Sequence, residues 1–154
     1  MTGPEEKGDK LVATNRKARH DYVILESFEA GIVLTGTEVK SLRQGNANLV
    51  DGYGMIKEGE LWLYGMHINP YSHGSYSNVD PLRRRKLLLH KKELRKIVAR
   101  LQDKGMTLIP LKVYFAHGIA KLQLGIGKGK REYDKRQDIA KRDAERSIRR
   151  HLAR

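Results

Sequence analysis

His20, Glu29 and Lys121 are the residues of this chain whose chemistry could act on a phosphodiester. A histidine and a carboxylate cleave RNA as acid and base only when they flank one scissile bond, with a lysine holding the phosphate. A ribonuclease built on His20 and Glu29 is one reading. Binding is the other, with His20 contacting RNA at a basic step and Glu29 accepting from backbone or nucleobase donors. The binding reading is preferred, because no local motif fixes the geometry that acid–base catalysis demands.

Other catalytic signals are weaker. His20, His67, His73, His90, His117 and His151 show neither HxH nor HExxH spacing, so no metal site is expected. The run Gly125-Ile126-Gly127-Lys128-Gly129-Lys130 has the look of a phosphate loop. Arg131 stands where a magnesium-binding hydroxyl belongs, however, and the Walker glycine spacing is missing. These glycines read as a flexible exit from a folded domain, and no cofactor is expected. Tyr22, Tyr71, Tyr76 and Tyr133 lie beside bases or in loops, where stacking on an unpaired nucleobase is worth roughly 1–3 kcal/mol each. Phe28, Trp62, Tyr64 and Tyr114 read as core.

Charge narrows the partner. The chain carries a net +13 over 154 residues. Residues 83–104 hold ten Lys/Arg against two Asp/Glu, and 128–154 hold eleven against five, whereas 21–82 are net −5. An excess confined to part of a chain points to phosphate backbones. No apolar run approaches the roughly 18 residues of a spanning helix, and the first ten residues lack the apolar core of a secretory signal. With no cysteine, disulfides and thiolate metal sites are excluded, and a cytoplasmic location fits.

The elements that would position these residues can be read in order. Residues 1–14 are polar and aperiodic and are expected to be disordered. A bent strand is expected over 22–35, its bend at Ala30-Gly31. Thr35 and Glu38 have capping-box spacing and open a short helix closed by Gly45. Runs 49–56 and 61–68 make a hairpin through a four-residue connection, 57–60, with Gly52 and Gly54 on one face where other backbone can approach. A turn-rich loop covers 69–81. Leu94, Ile97, Val98 and Leu101 give a helix over 90–104 an apolar stripe, and a second hairpin spans 106–115 and 119–126. Five strands with a helix between the third and fourth match the OB barrel. The expected fold is mainly β with α: a small OB-type β-barrel with helices packed on it, occupying residues 15–127.

Residues 128–154 form a basic tail whose large aliphatic residues are Ile139, Ile148 and Leu152. Ordering each residue costs roughly 1–2 kcal/mol, more than three such side chains return. Yet Ala140, Ala144, Ile148 and Leu152 recur every four residues, and Asp134 with Gln137 resembles a capping box. A disordered or conditionally helical tail follows, ordered when a polyanion neutralises it.

The segments NRKARHDYVILESFEAGIVLTGTEVKSLRQGNANLVDGY, RRRKLLLHKKEL and GIGKGKREYDKR resemble the SmpB family, the protein partners of transfer-messenger RNA (tmRNA), over residues 15–154. The resemblance implies a non-catalytic OB-type RNA-binding adaptor of ribosome rescue by trans-translation. Such a protein binds the tRNA-like domain of tmRNA and stands in for its missing anticodon stem. Its second partner is the bacterial ribosome, mainly small-subunit RNA, whose decoding centre and empty message channel take the tail as a helix. No membrane or small-molecule partner is implied. By position, RNA contacts fall on His20, Tyr22, Glu29, Leu88, Leu89 and Lys121, and the ribosome-facing motif on Tyr133, Asp134, Lys135 and Arg136. Some members carry histidine at the position of Tyr133; a tyrosine keeps the stacking surface but not the imidazolium charge. The other tail cations, Lys128, Lys130, Arg131, Lys141, Arg142, Arg146, Arg149 and Arg150, are expected to neutralise ribosomal phosphates. A general OB translation factor bound to the small subunit is the alternative, and a ribonuclease the weaker one.

Overall fold

The computed structural model describes residues 10–73 and 78–152, excepting the side chains of 132–138, 151 and 152. The order is β1 (Lys10–Thr14), α1 (Arg16–Asp21), β2 (Tyr22–Ile32), α2 (Gly36–Arg43), β3 (Ala47–Asn48), β4 (Tyr53–Lys57), β5 (Glu60–Tyr64) and β6 (His67–Ile68). There follow β7 (Arg85–Leu88), α3 (Lys91–Leu101), β8 (Thr107–Ala116), β9 (Ile119–Gly129) and α4 (Lys130–Leu152). Strands β8, β4, β5, β7, β2 and β9 pair in that order, and β9 pairs back to β8, closing a ring. This is the OB-type barrel that strand order and helix position suggest, with α3 between β7 and β8.

The ring closes around Leu61, Leu63, Leu87, Val113, Leu122 and Leu124. On its flank α3 inserts Ile97, fully buried, with Leu94 and Leu101 packed beside it. The apolar stripe of this helix therefore does what its spacing indicates. Both long hairpins turn on two residues with positive φ, Glu58-Gly59 and His117-Gly118, the backbone twist that matches paired strands. The first connection is thus shorter than four residues. Gly54 pairs with Leu108, and a Cβ at residue 54 would lie 2.4 Å from Leu108 Cδ2. The close neighbour is a side chain rather than backbone.

Several expectations need correcting. Residues 10–14 are a strand, not coil, because Val12 and Ala13 pack on the core while β1 pairs with β8. Residues 1–9 lie outside the described residues. The helix α1 went unread: Asn15, 2% exposed, accepts from the Ala18 N–H at 3.1 Å and donates to the carbonyls of Pro110 (2.9 Å) and Leu49 (3.2 Å). The irregularity of β2 falls between Ile24 and Glu26, whereas Gly31 keeps regular partners, Lys121 and Leu88. The strand β7 hides in the basic run, joining β5 to β2.

Within that run Arg85 is wholly buried. Its Nε donates to Glu38 Oε2 at 2.6 Å, and its terminal nitrogens donate to the carbonyls of Met66 (2.6 Å) and Pro81 (3.1 Å). Arg83 donates to the other oxygen of Glu38. Glu38 also completes the capping box of α2, accepting from the Thr35 N–H at 2.9 Å. Burial raises its carboxyl, but Arg83, the Thr35 N–H and Arg85 outweigh that and hold it below the ordinary carboxylate range. One ion cluster thereby ties α2 to β7, to Met66 between β5 and β6, and to Pro81 at the end of the loop 69–81.

The tail leaves the barrel without a linker. β9 runs to Gly129, and α4 begins at Lys130. Gly125 and Gly127 are buried strand residues rather than a flexible exit; a Cβ at residue 127 would lie 2.6 Å from the Val23 carbonyl oxygen. Lys128, expected in the tail, is a β9 residue paired with Val23. Residue 134 lies inside the helix rather than at its start, and the side chains of Asp134 and Gln137 lie outside the described residues.

Candidate nucleic-acid interface

Three strands build the site. On the outward face of the barrel, β2, β9 and β8 bring two rows together: Gly31, Lys121 and Tyr114, then Glu29, Gln123 and Lys112. Strand alternation requires this, since Phe28, Ala30, Val113 and Phe115 all turn inward. The Tyr114 hydroxyl crosses between the rows to donate to Glu29 Oε2. Burial first, and the Glu29 carboxylate second, push the Tyr114 phenol well above its ordinary value. Lys112 lies over the same ring, 5.5 Å from its centroid.

Beside these rows, β7 ends at Leu88, Leu89 follows it, and His90 stands at the N-cap position of α3 without a side-chain hydrogen bond to the helix. Glu29, Leu88, Leu89 and Lys121 line one cleft of about 530 Å³, with Ile32, Glu93 and Ile119 among the other walls. Four of the six residues singled out for RNA contact thus meet in one place. The apolar rim is uncovered, Leu88 being 51% and Ile119 58% exposed. A carboxylate that can only accept, an ammonium that can only donate and two bare aliphatic side chains suit a nucleobase: N–H groups to Glu29, phosphate to Lys121, ring face on leucine.

The remaining two residues lie elsewhere. His20 and Tyr22 line a second cleft, also about 530 Å³, with Asp21, Gly129, Lys130 and Arg131. Here the root of the tail meets the end of α1. His20 Nδ1 is 2.9 Å from Asp21 Oδ1. That hydrogen bond, with the charges of His20, Lys17 and Lys130, holds the Asp21 carboxyl below its ordinary value against a smaller effect of desolvation. From Tyr22 to Glu29 is seven residues of strand, roughly 20 Å at about 3.3 Å each. His20 and Glu29 therefore cannot flank one phosphodiester, which removes the acid–base pairing considered for RNA cleavage.

A third surface is the exposed side of α3, where Lys91, Lys92, Arg95, Lys96 and Arg100 project. Glu26 of β2 engages Lys96 and Arg100 at 2.5 and 3.6 Å. Arg84 lies 4.2 Å over the Trp62 ring, so Trp62 is a surface platform as much as core.

The tail is undocked where its side chains are described: residues 139–150 are all exposed, with Ile139 at 48% and Ile148 at 58%. Lys130, Arg131, Lys141, Arg142, Arg146, Arg149 and Arg150 are among the exposed cations. The side chains of Tyr133, Asp134, Lys135 and Arg136 lie outside the described residues, as does Tyr76. No described helix is long and apolar enough to cross a membrane.

Sequence reading missed Tyr114, Ile119 and Glu93. Period-two alternation through Val113-Tyr114-Phe115 was the available signal, because it turns Tyr114 outward whenever its neighbours turn in.

Comparison with known proteins gives a consistent answer. The model of the SmpB protein family matches residues 12–154. The SsrA-binding protein of Alkaliphilus oremlandii (strain OhILAs) is 60% identical over 146 residues, 95% of this chain and 94% of that one. The SsrA-binding protein of Nocardia farcinica (strain IFM 10152) is 53% identical over 154 residues, all of this chain and 96% of that one. A chain from the solved structure "tmRNA-SmpB: a journey to the center of the bacterial ribosome" superposes with a TM-score of 0.67 at 55% identity, over 77% of this chain and 84% of that chain.

Proposed function

This chain belongs to the SmpB protein family, and from that premise we propose how its parts divide the work of a tmRNA-binding adaptor in trans-translation. The adaptor binds tmRNA and works on the bacterial ribosome in the cytoplasm. Its barrel, residues 10–129, takes the tRNA-like part of the RNA, and the tail from Lys130 onward addresses the ribosome.

The observation that carries the barrel assignment is the cleft in which Glu29, Lys121, Leu88 and Leu89 converge beside exposed Ile119. An unpaired nucleobase is the ligand its chemistry fits, since RNA loops are read by stacking and by base edges rather than through a groove. The His20–Tyr22 cleft, at the root of α4, is the natural second contact. It joins RNA held by the barrel to the root of a helix about 35 Å long at about 1.5 Å per residue. Standing in for the missing anticodon stem falls to the barrel that carries the RNA, while the cationic helix extends from it toward the ribosome.

Glu29→Ala is the direct test of the cleft. It should weaken binding of a folded tRNA-like RNA by about tenfold, the range for a charge-assisted hydrogen bond, with the thermal midpoint unchanged because Glu29 is exposed. Wild-type affinity in this variant would remove the cleft from the interface.

A further inference from the structure

Tyr114 carries no part in the reading above, yet its hydroxyl is the hydrogen-bond partner the structure gives the Glu29 carboxylate. It faces Lys121 across β8 and β9, and Lys112 lies over its ring. Its neighbours Val113 and Phe115 fill the barrel at 0% and 2% exposure, so the core does not require a phenol at residue 114.

A carboxylate in a site for a polyanion is a liability unless it is aimed. Pointed at a phosphate, Glu29 repels the ligand; pointed at N–H donors, it selects a base. A glutamate free to rotate would also lose that freedom on binding, whereas one tethered beforehand has less to lose. Pushed well above its ordinary value by burial and by Glu29 itself, the phenol remains a donor throughout the physiological range.

We propose that Tyr114 is a positioning residue of the RNA interface, its hydroxyl holding Oε2 of Glu29 so that Oε1 is left to accept from the N–H edge of an unpaired nucleobase. The proposal rests on the assignment of Glu29 to RNA binding. It makes Tyr114 act through Glu29 and not by contact of its own.

A double-mutant cycle separates the possibilities. Affinity for a folded tRNA-like RNA is measured for wild type, Tyr114→Phe, Glu29→Ala and the double variant over a salt series, with thermal midpoints alongside. Tyr114→Phe should weaken binding about fivefold, as for loss of one hydrogen bond. The salt slope should be unchanged because no phosphate contact is lost, and the thermal midpoint should not move. In the Glu29→Ala background the same substitution should have no further effect. Wild-type affinity in Tyr114→Phe, losses that multiply in the double variant, or a loss matched by a lowered midpoint would each overturn the positioning role and leave the cleft standing. An unaffected Glu29→Ala would instead remove the cleft and the proposal with it.

Discussion

The barrel and the tail meet at Gly129 and are stabilised by opposite means. In β9, Ile126 is 1% exposed; in α4, Ile148 is 58% exposed. The barrel closes a ring of strands over its aliphatic side chains and is complete without its ligand. The tail repeats aliphatic and small residues at helical spacing, but its described side chains at 139–150 are all exposed. A solitary helix gains little beyond its backbone hydrogen bonds, and isolated helices are marginal in water. What this difference teaches is that the barrel is ordered by its own core and so holds its proposed site preformed, whereas the described part of the tail is left for its surroundings to cover. Among the described side chains of α4, cations dominate, so those surroundings have to be anionic.

The comparison can be broken or sharpened by substitution. The largest effect on the barrel should come from Glu38→Ala, which strands buried Arg85 without its counter-charge; loss of about 3–5 kcal/mol is expected for a broken buried pair, read by urea unfolding. The same site makes an acid limb. Because the folded Glu38 carboxyl lies below its ordinary range, its contribution is fully present above the unfolded value of about 4.3 and is lost as pH falls through the lower folded value. Wild type should lose stability across that window more steeply than Glu38→Gln; parallel pH profiles would contradict the ion cluster.

Next in size is Gly54→Ala, whose new methyl meets Leu108; overpacking should cost about 1–3 kcal/mol, and an unchanged urea midpoint would show that the ring yields there. Lys121→Ala should spare the fold, weaken RNA binding several-fold and lower the salt slope by about one, as for one lost phosphate contact. An unchanged slope would place Lys121 away from the backbone of the RNA. The smallest effect belongs to the tail: Ile148→Ser should change global stability by less than about 0.5 kcal/mol, as for any undocked surface position. A loss above about 1 kcal/mol would mean that α4 packs on the barrel after all.

Much of the barrel could be read from local rules, and what escaped had physical causes. Thr35 and Glu38 announce α2 because a capping box is a contact between residues three apart. Arg85 escaped because four consecutive basic residues look solvated; only strand alternation with Leu87 turns it inward, and its partner Glu38 is remote in sequence. β1 escaped because a short polar-flanked strand owes its order to pairing with β8, and α1 because six residues are too few to show a helical period. The bend of β2 was sought at glycine, yet the register shifts at Leu25, where the strand must serve β9 while α1 packs nearby. In the site, Glu29, Leu88, Leu89 and Lys121 were legible as residues through a family resemblance, but their convergence was not. It depends on the registers of β2 with β7 and with β9, which no local pattern encodes. Tyr114 was misassigned to the core because aromatic residues in a hydrophobic strand are usually counted inward, although its hydroxyl required a partner outside.

The division between a self-sufficient barrel and a tail dependent on its surroundings is tested most directly by deleting residues 134–154. Affinity for a tRNA-like RNA and tagging of peptides on stalled ribosomes would be measured with the same preparation. RNA affinity within about twofold of the full chain, together with tagging reduced to background, is the result this account requires, since a lost hydrogen bond of the barrel would cost more than that. A tenfold or larger fall in RNA affinity, or tagging that persists, would contradict it.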